Sequence, residues 1–302
     1  MTRHATEVCP PLRRILYPAA AVGWIVVVWI VAGWILAGWI VVGCVGCRAL
    51  PSETDRLFHD LATAPPDTRR FDPADPMQRR AASDPLAFLK ACRRHYVENV
   101  RDYRCRFTLQ ERSNGTLGPI QEMNVRFREE PFSVDLRWVR NPPQANRVNY
   151  VEGRWARHGR EYALIELSGM LALLAPNGVK RHIHAPDMVA AARGTIDRFG
   201  FKNTLDSIIE NCERAHDDPA YDLRFLGIAD LDERPCFVFR RILPEQYTTE
   251  RHVDPLLLIY IDRQWLLPTG CFGYADMQGK KLLGAYVTTA IHLNPGLTDA
   301  DF

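Results

Sequence analysis

The stretch Tyr103-Arg104-Cys105-Arg106-Phe107-Thr108-Leu109-Gln110 decides the fold. Apolar side chains at the odd positions alternate with charged and polar ones at the even positions, and a period of two puts one set on each face of a strand. Ser113-Asn114-Gly115 then turns the chain. The alternation returns in Met123, Val125 and Phe127 against Asn124, Arg126 and Arg128. After Glu130-Pro131 it returns again in Phe132, Val134, Leu136 and Trp138 against Ser133, Asp135 and Arg137. Three successive antiparallel strands with one apolar and one polar face are therefore expected.

Working outward, further strands are expected near Arg147–Val151, Glu161–Leu167, Tyr221–Ile228, Cys236–Leu243, Leu256–Asp262, Pro268–Tyr274 and Leu282–Leu293. Ser83-Asp84-Pro85 reads as a cap and first-turn proline that open a helix running to about Val100, with Leu86, Leu89, Cys92 or Arg93, Tyr96 and Val100 on one stripe. A second helix is expected over Thr204–Ala215, striped by Leu205, Ile208, Ile209 and Cys212. The class is α+β: a curved antiparallel sheet, or unclosed β-barrel, covered by two helices and occupying residues 84–302. Tyr103, Phe107, Leu109, Phe132, Leu136 and Trp138 are too many large groups for a bare face. Helices or a ligand must cover them, which makes them the candidate lining of an apolar cavity.

The N-terminal region reads differently. Ile15 to Val42 carries no charged residue and follows Arg3, Arg13 and Arg14; a hydrocarbon core of about 30 Å needs roughly 20 helical residues, so this run can span a bilayer. Trp24, Trp29, Trp34 and Trp39, each followed by Ile, recur every five residues, a spacing that spirals round a helix and makes no stripe. Val41-Val42-Gly43-Cys44 resembles a bacterial lipobox, which would mean cleavage before Cys44 and lipidation of its thiol. Length favours an uncleaved membrane helix and the Cys44 pattern favours a lipoprotein; both tether residues 1–47 to a membrane. The Arg13–Arg14 pair places the N-terminus in the cytoplasm and everything after Cys47 on the periplasmic or exoplasmic side of the cell membrane. Residues 48–83, rich in Pro, Asp, Arg and Ala, read as a disordered linker.

The 38 basic and 36 acidic residues leave a net charge of +2 and no field that would recruit nucleic acid. No motif calls for a cofactor, and none marks an enzyme. His182 and His184 would share one face of a strand and could begin a metal site, but no third ligand stands at metal-binding spacing, so surface histidines are the plainer reading. Cys92, Cys105, Cys212, Cys236 and Cys271 are odd in number and widely separated. Export would permit disulfides, yet buried small apolar side chains are the preferred reading.

Gln110-Glu111-Arg112, Gly118-Pro119-Ile120-Gln121-Glu122, Val125 through Val134, Trp138-Val139 and Tyr150-Val151-Glu152-Gly153 together resemble a bacterial family called domain of unknown function 1571. Arg234-Pro235-Cys236-Phe237-Val238, Ile259-Tyr260-Ile261-Asp262 and Leu297 through Phe302 look like its second half. The resemblance covers about Asp84 to Phe302 and implies a LolA-like layout, similar to periplasmic lipoprotein carriers: an unclosed barrel whose concave side holds helices and an apolar cavity for acyl chains. It implies no catalytic residues. Three functions stand in order: a tethered protein binding a lipid or acylated partner; a structural or interaction module with a filled core; and a metal-dependent enzyme using His182 and His184.

Overall fold

The computed structural model describes Phe58 and residues 71–113, 115–248 and 253–302. The expected membrane segment, Cys44 and most of the expected linker lie outside the described residues; among the described ones no helix is long and apolar enough to cross a membrane.

Residues 76–83, expected to lie in the linker, are helical. Helix α1 spans Pro76–Ser83. The Asp75 carboxylate accepts from the backbone N–H of Met77 at 2.8 Å and of Gln78 at 3.4 Å, so Asp75-Pro76 is an N-cap followed by a first-turn proline. Gln78 and Ala81 are buried, and Arg263 Nη2 donates to Asp75 Oδ2 at 2.6 Å. Phe58 is buried as well, its ring 6.2 Å from that of Phe272. The Asp and Pro that read as tether composition at 71–83 are capping chemistry on a docked helix.

Helix α2 spans Pro85–Asn99, capped by Asp84, whose Oδ1 accepts from Ala87 N at 2.9 Å. Its buried stripe is Phe88, Leu89, Cys92 and Tyr96. The strands follow as β1 (Asp102–Ser113), β2 (Thr116–Leu117), β3 (Gln121–Arg128), β4 (Ser133–Arg140), β5 (Ala145–Val151), β6 (Tyr162–Leu167) and β7 (Val179–His182). Short helices α3 (Leu171–Leu174) and α4 (Pro186–Ala191) flank β7, and helix α5 (Phe201–Ala215) precedes β8 (Asp222–Leu231), β9 (Arg234–Ile242), β10 (Leu256–Asp262), β11 (Pro268–Tyr274) and β12 (Leu282–Leu293). The short β2 and β7 are additions to the strands expected from sequence, and α1, α3 and α4 to the helices; strands of two to four residues and helices of about two turns or fewer are too short to display their period.

One antiparallel sheet runs β7-β6-β5-β4-β3-β1-β12-β11-β10-β9-β8, with β2 paired to β1. It is two meanders joined where the last strand lies against the first, Phe107 opposite Thr288 and Leu109 opposite Tyr286. Its outer strands β7 and β8 are not paired with one another, so it is unclosed.

Helices α2 and α5 lie on one face, here the inner face. Phe88, Leu89, Cys92, Leu205, Ile208, Ile209 and Cys212 pack on Phe237, Phe239, Ile259, Ile261 and Cys271 of the C-terminal half. That half is buried on its outer face too, where Phe58, Val238, Tyr260, Phe272, Ala285 and Val287 form a second cluster with Leu117 and Ile120 against it. The outer face of the N-terminal half is polar instead. Asp135, 1% exposed, accepts from Arg137 Nε at 2.9 Å, from Arg147 and from Asn149 Nδ2 at 3.1 Å. Glu122 meets Arg140 at 3.1 Å and Arg106 at 3.7 Å. Near the C-terminal residues, Asp299 and Asp301 hold Arg128 and Arg104 at 2.7 and 2.8 Å.

Candidate functional site

The inner face of the N-terminal half is lined in register: Tyr103 opposite Phe127, Cys105 opposite Val125, Phe107 opposite Met123, then Val125 opposite Leu136 and Met123 opposite Trp138. Helices α2 and α5 reach it only with their ends. Tyr96 and Phe201 close its deep part, where Tyr103 stacks on Phe127 at 4.7 Å and meets Phe201 at 4.7 Å. Tyr96 Oη donates to Glu129 Oε1 at 2.6 Å, and burial drives the Tyr96 and Tyr103 hydroxyls well above their ordinary pKa, so both stay neutral.

The rest of the face is covered by a strap, residues 183–200. Met188 and Ile196 pack on Val148, Tyr150 and Ile165, while Phe199 sits 5.3 Å from Phe107 and 6.4 Å from Phe127. Gly200, at φ 110°, ends the strap where a Cβ would lie 2.8 Å from the Phe127 ring, so the close approach requires glycine. Of the six side chains expected from sequence to line a cavity, Tyr103 and Leu136 are buried, whereas Phe107, Leu109, Phe132 and Trp138 are only partly so. Trp138 is also oriented by a polar contact, its Nε1 donating to Gln121 Oε1 at 2.8 Å. The covering was expected from the two helices; much of it comes from the strap, whose Ile196 and Phe199 lie in an aperiodic stretch that carries no pattern for sequence reasoning to detect.

Polar contacts pin the middle of the strap. Arg193 Nη2 donates to Asp254 Oδ1 at 2.6 Å, and its backbone N–H reaches Glu111 Oε2 at 3.3 Å. Tyr286 Oη donates to the other Glu111 oxygen at 2.8 Å, and Arg241 donates to the Asp254 carbonyl at 2.9 Å. Burial raises the Asp254 carboxyl above its ordinary pKa against the pull of Arg193, and burial lowers that of Arg241. This latch holds the Arg193–Asp254 ion pair in a poorly hydrated place, where loss of one partner is costly.

Beside His184 and Asp197 the face opens into a cleft of about 590 Å³, lined in part by Phe132, Tyr150, Arg160, Glu161, His182 and His184. His184 Nε2 lies 3.2 Å from Asp197 Oδ2, while Asp197 Oδ1 is buried without a partner among the described residues. The His182 ring is 5.8 Å from both His184 and Tyr162. Among the described residues no group of three or more His, Cys, Asp or Glu side chains is placed to hold a metal. The cleft offers instead mixed charge and hydrogen-bonding groups beside an aromatic wall.

The five cysteines of the domain are free and buried. Burial pushes the thiols of Cys92, Cys236 and Cys271 up to about 12, so they act as small apolar side chains and not as nucleophiles.

No curated protein matches this chain. Among solved structures it is similar to a DUF1329 family protein from Desulfovibrio piger, at 13% identity over 72% of this chain and 97% of that one, with a TM-score of 0.36. It is likewise similar to the lipoprotein LppX of Mycobacterium tuberculosis, at 11% identity over 71% and 98%, with a TM-score of 0.36. A putative outer membrane lipoprotein-sorting protein domain from Vibrio parahaemolyticus aligns at 12% identity over 72% and 94%, with a TM-score of 0.34. Likeness at this level transfers neither ligand nor role. The sequence of the sheet itself is more decisive: residues 100–302 of the 302 match the model described as protein of unknown function (DUF1571), and the chain belongs to that family.

Proposed function

We propose that this chain is a non-catalytic envelope protein, tethered by its apolar N-terminal segment, that receives the acyl chain of a lipid or acylated partner on the inner face of the N-terminal half. One observation carries the reading. Phe107, Leu109, Phe132 and Trp138 are partly buried on a face shared with a strap that polar contacts pin at Arg193 and that adjoins an open polar cleft at His184 and Asp197. An acyl chain that displaced Ile196 and Phe199 would find an apolar wall ready made, with the cleft left for its headgroup. The deep contacts of Tyr103, Phe127 and Phe201 favour a second reading, a structural module whose interior is already filled.

Stability and binding of a fluorescent fatty acid, measured together in wild type and Trp138→Ala, separate the two. Uptake by wild type that falls in a variant still cooperatively folded supports the carrier. No uptake by wild type, with a variant destabilised by the full cost of about 3–5 kcal/mol for a buried aromatic, leaves the structural module standing. Intact mass of the membrane-extracted chain tests the tether: an N-terminus at Met1 means an uncleaved anchor, one at Cys44 carrying added lipid means a lipoprotein, and full-length protein recovered without detergent removes both.

A further inference from the structure

In an antiparallel meander successive connections alternate between the two ends of the strands. The β4–β5 connection and the β6–β7 connection therefore share one end, opposite the polar cleft, and they touch: Ser168 N donates to Gln144 O at 2.9 Å. The β6–β7 connection, Leu167 to Val179, holds no charged residue and runs Met170-Leu171-Ala172-Leu173-Leu174 through α3. Met170, Leu173 and Leu174 are 84%, 81% and 82% exposed, and Leu171 is 43% exposed. Contiguous apolar exposure on this scale marks an interaction site.

We infer that this hairpin tip docks on the surface of an anionic lipid bilayer. The shape favours lipid. At 100° per residue the four side chains fan across about 160° of the helical turn, wider than the roughly 100° stripe that packing against one partner requires. The backbone is prepared for a dry setting, with Ala172 N bonded to Gly169 O, Leu173 N to Met170 O and Gly178 N to Ala175 O. Gly178 lets the tip fold back closely, since a Cβ there would lie 2.7 Å from the Ile165 carbonyl oxygen. The charge is compatible. Neither 167–179 nor 141–146 contains a charged residue, and at their bases Glu122 pairs Arg140 and Glu166 pairs Arg147, which leaves the exposed Lys180 as the cation beside the apex. A basic side chain beside an apolar insertion attracts anionic headgroups while the apex enters the interface.

This inference does not depend on acyl binding or on the N-terminal tether. Residues 52–302 form a compact unit that carries its own core clusters, so they can be tested without the N-terminal apolar run. Flotation of this unit with vesicles of phosphatidylcholine and phosphatidylglycerol is expected, and Leu173→Ser should weaken it about tenfold with unchanged melting. Leu174→Met should bind like wild type. Absence of flotation by the wild-type unit, or equal flotation by Leu173→Ser, would overturn the inference. So would a wild-type dimer in sedimentation that Leu173→Ser dissolves, because the tip would then pair two copies. Equal binding to vesicles of phosphatidylcholine alone would overturn the role given to Lys180.

Discussion

The two halves of the sheet use the same antiparallel pairing yet are buried to different depths. All seven residues of β11 are buried, and in β10 only Leu258 is not; in β6 only Ala163 and Ile165 are. The C-terminal half is sandwiched between the helices and an outer cluster, whereas the N-terminal half has a polar outer face and an inner face shared between helix ends and a strap. Free energy of local opening follows buried apolar contact, so the C-terminal half is the scaffold and the N-terminal half is where, on the proposed function, cover would be exchanged for a ligand.

The largest expected effect tests this contrast directly. Phe239→Ala, in the doubly covered half, should cost about 3–5 kcal/mol in denaturant unfolding, and Trp138→Ala under the strap less than half of that. Equal losses would abolish the distinction between scaffold and exchangeable cover.

A smaller effect concerns the N-terminal edge of the scaffold. A chain beginning at Ser83 loses α1, with buried Gln78 and Ala81 and the Asp75–Arg263 pair. It should melt several degrees below one beginning at Ser52, at roughly 2–4 °C for each kcal/mol lost. Identical melting would return residues 71–83 to the status of a linker.

The latch sharpens the comparison through pH. The Asp254 carboxyl sits above its ordinary 3.8, chiefly through burial. With a raised folded pKa the native state takes up the proton first, so this group's contribution to stability is complete below 3.8 and is lost as pH rises through the folded value. Acid therefore does not unfold the protein through Asp254, but it does discharge the partner of Arg193. Fatty-acid uptake should rise as pH falls through that value without a drop in melting temperature assignable to this carboxyl, and Asp254→Asn should flatten the profile. The smallest effect lies on the scaffold's surface: Lys90→Ala removes an exposed pair with Glu213 at 2.7 Å and should change stability by no more than about 0.5 kcal/mol.

Much of this architecture was legible in the residues. Alternation in Tyr103 to Gln110 and its repeats marked the strands and their apolar faces, and Asp84-Pro85 marked the start of α2, because strand period and capping are local properties of the chain. Helix α1 was lost to ambiguity, since Asp75-Pro76 is an N-cap in one context and a linker signal in another. Phe107, one of the six residues singled out for the cavity, meets Phe199 of the strap, but Phe199 and Arg193 were themselves invisible, lying in a stretch without period.

By itself the sequence determined ten of the twelve strands, the faces they present, two of the helices and the family, since each rests on spacing within a few residues or on motifs read in place. Only the tertiary structure decided that β12 returns to pair with β1, that the C-terminal half is covered twice, that Arg193 finds Asp254 across the inner face and that Met170 to Leu174 stand exposed at one end. A side-chain period states which face is apolar; what covers that face is a long-range contact, set by packing of segments far apart in the chain, and no local pattern encodes it.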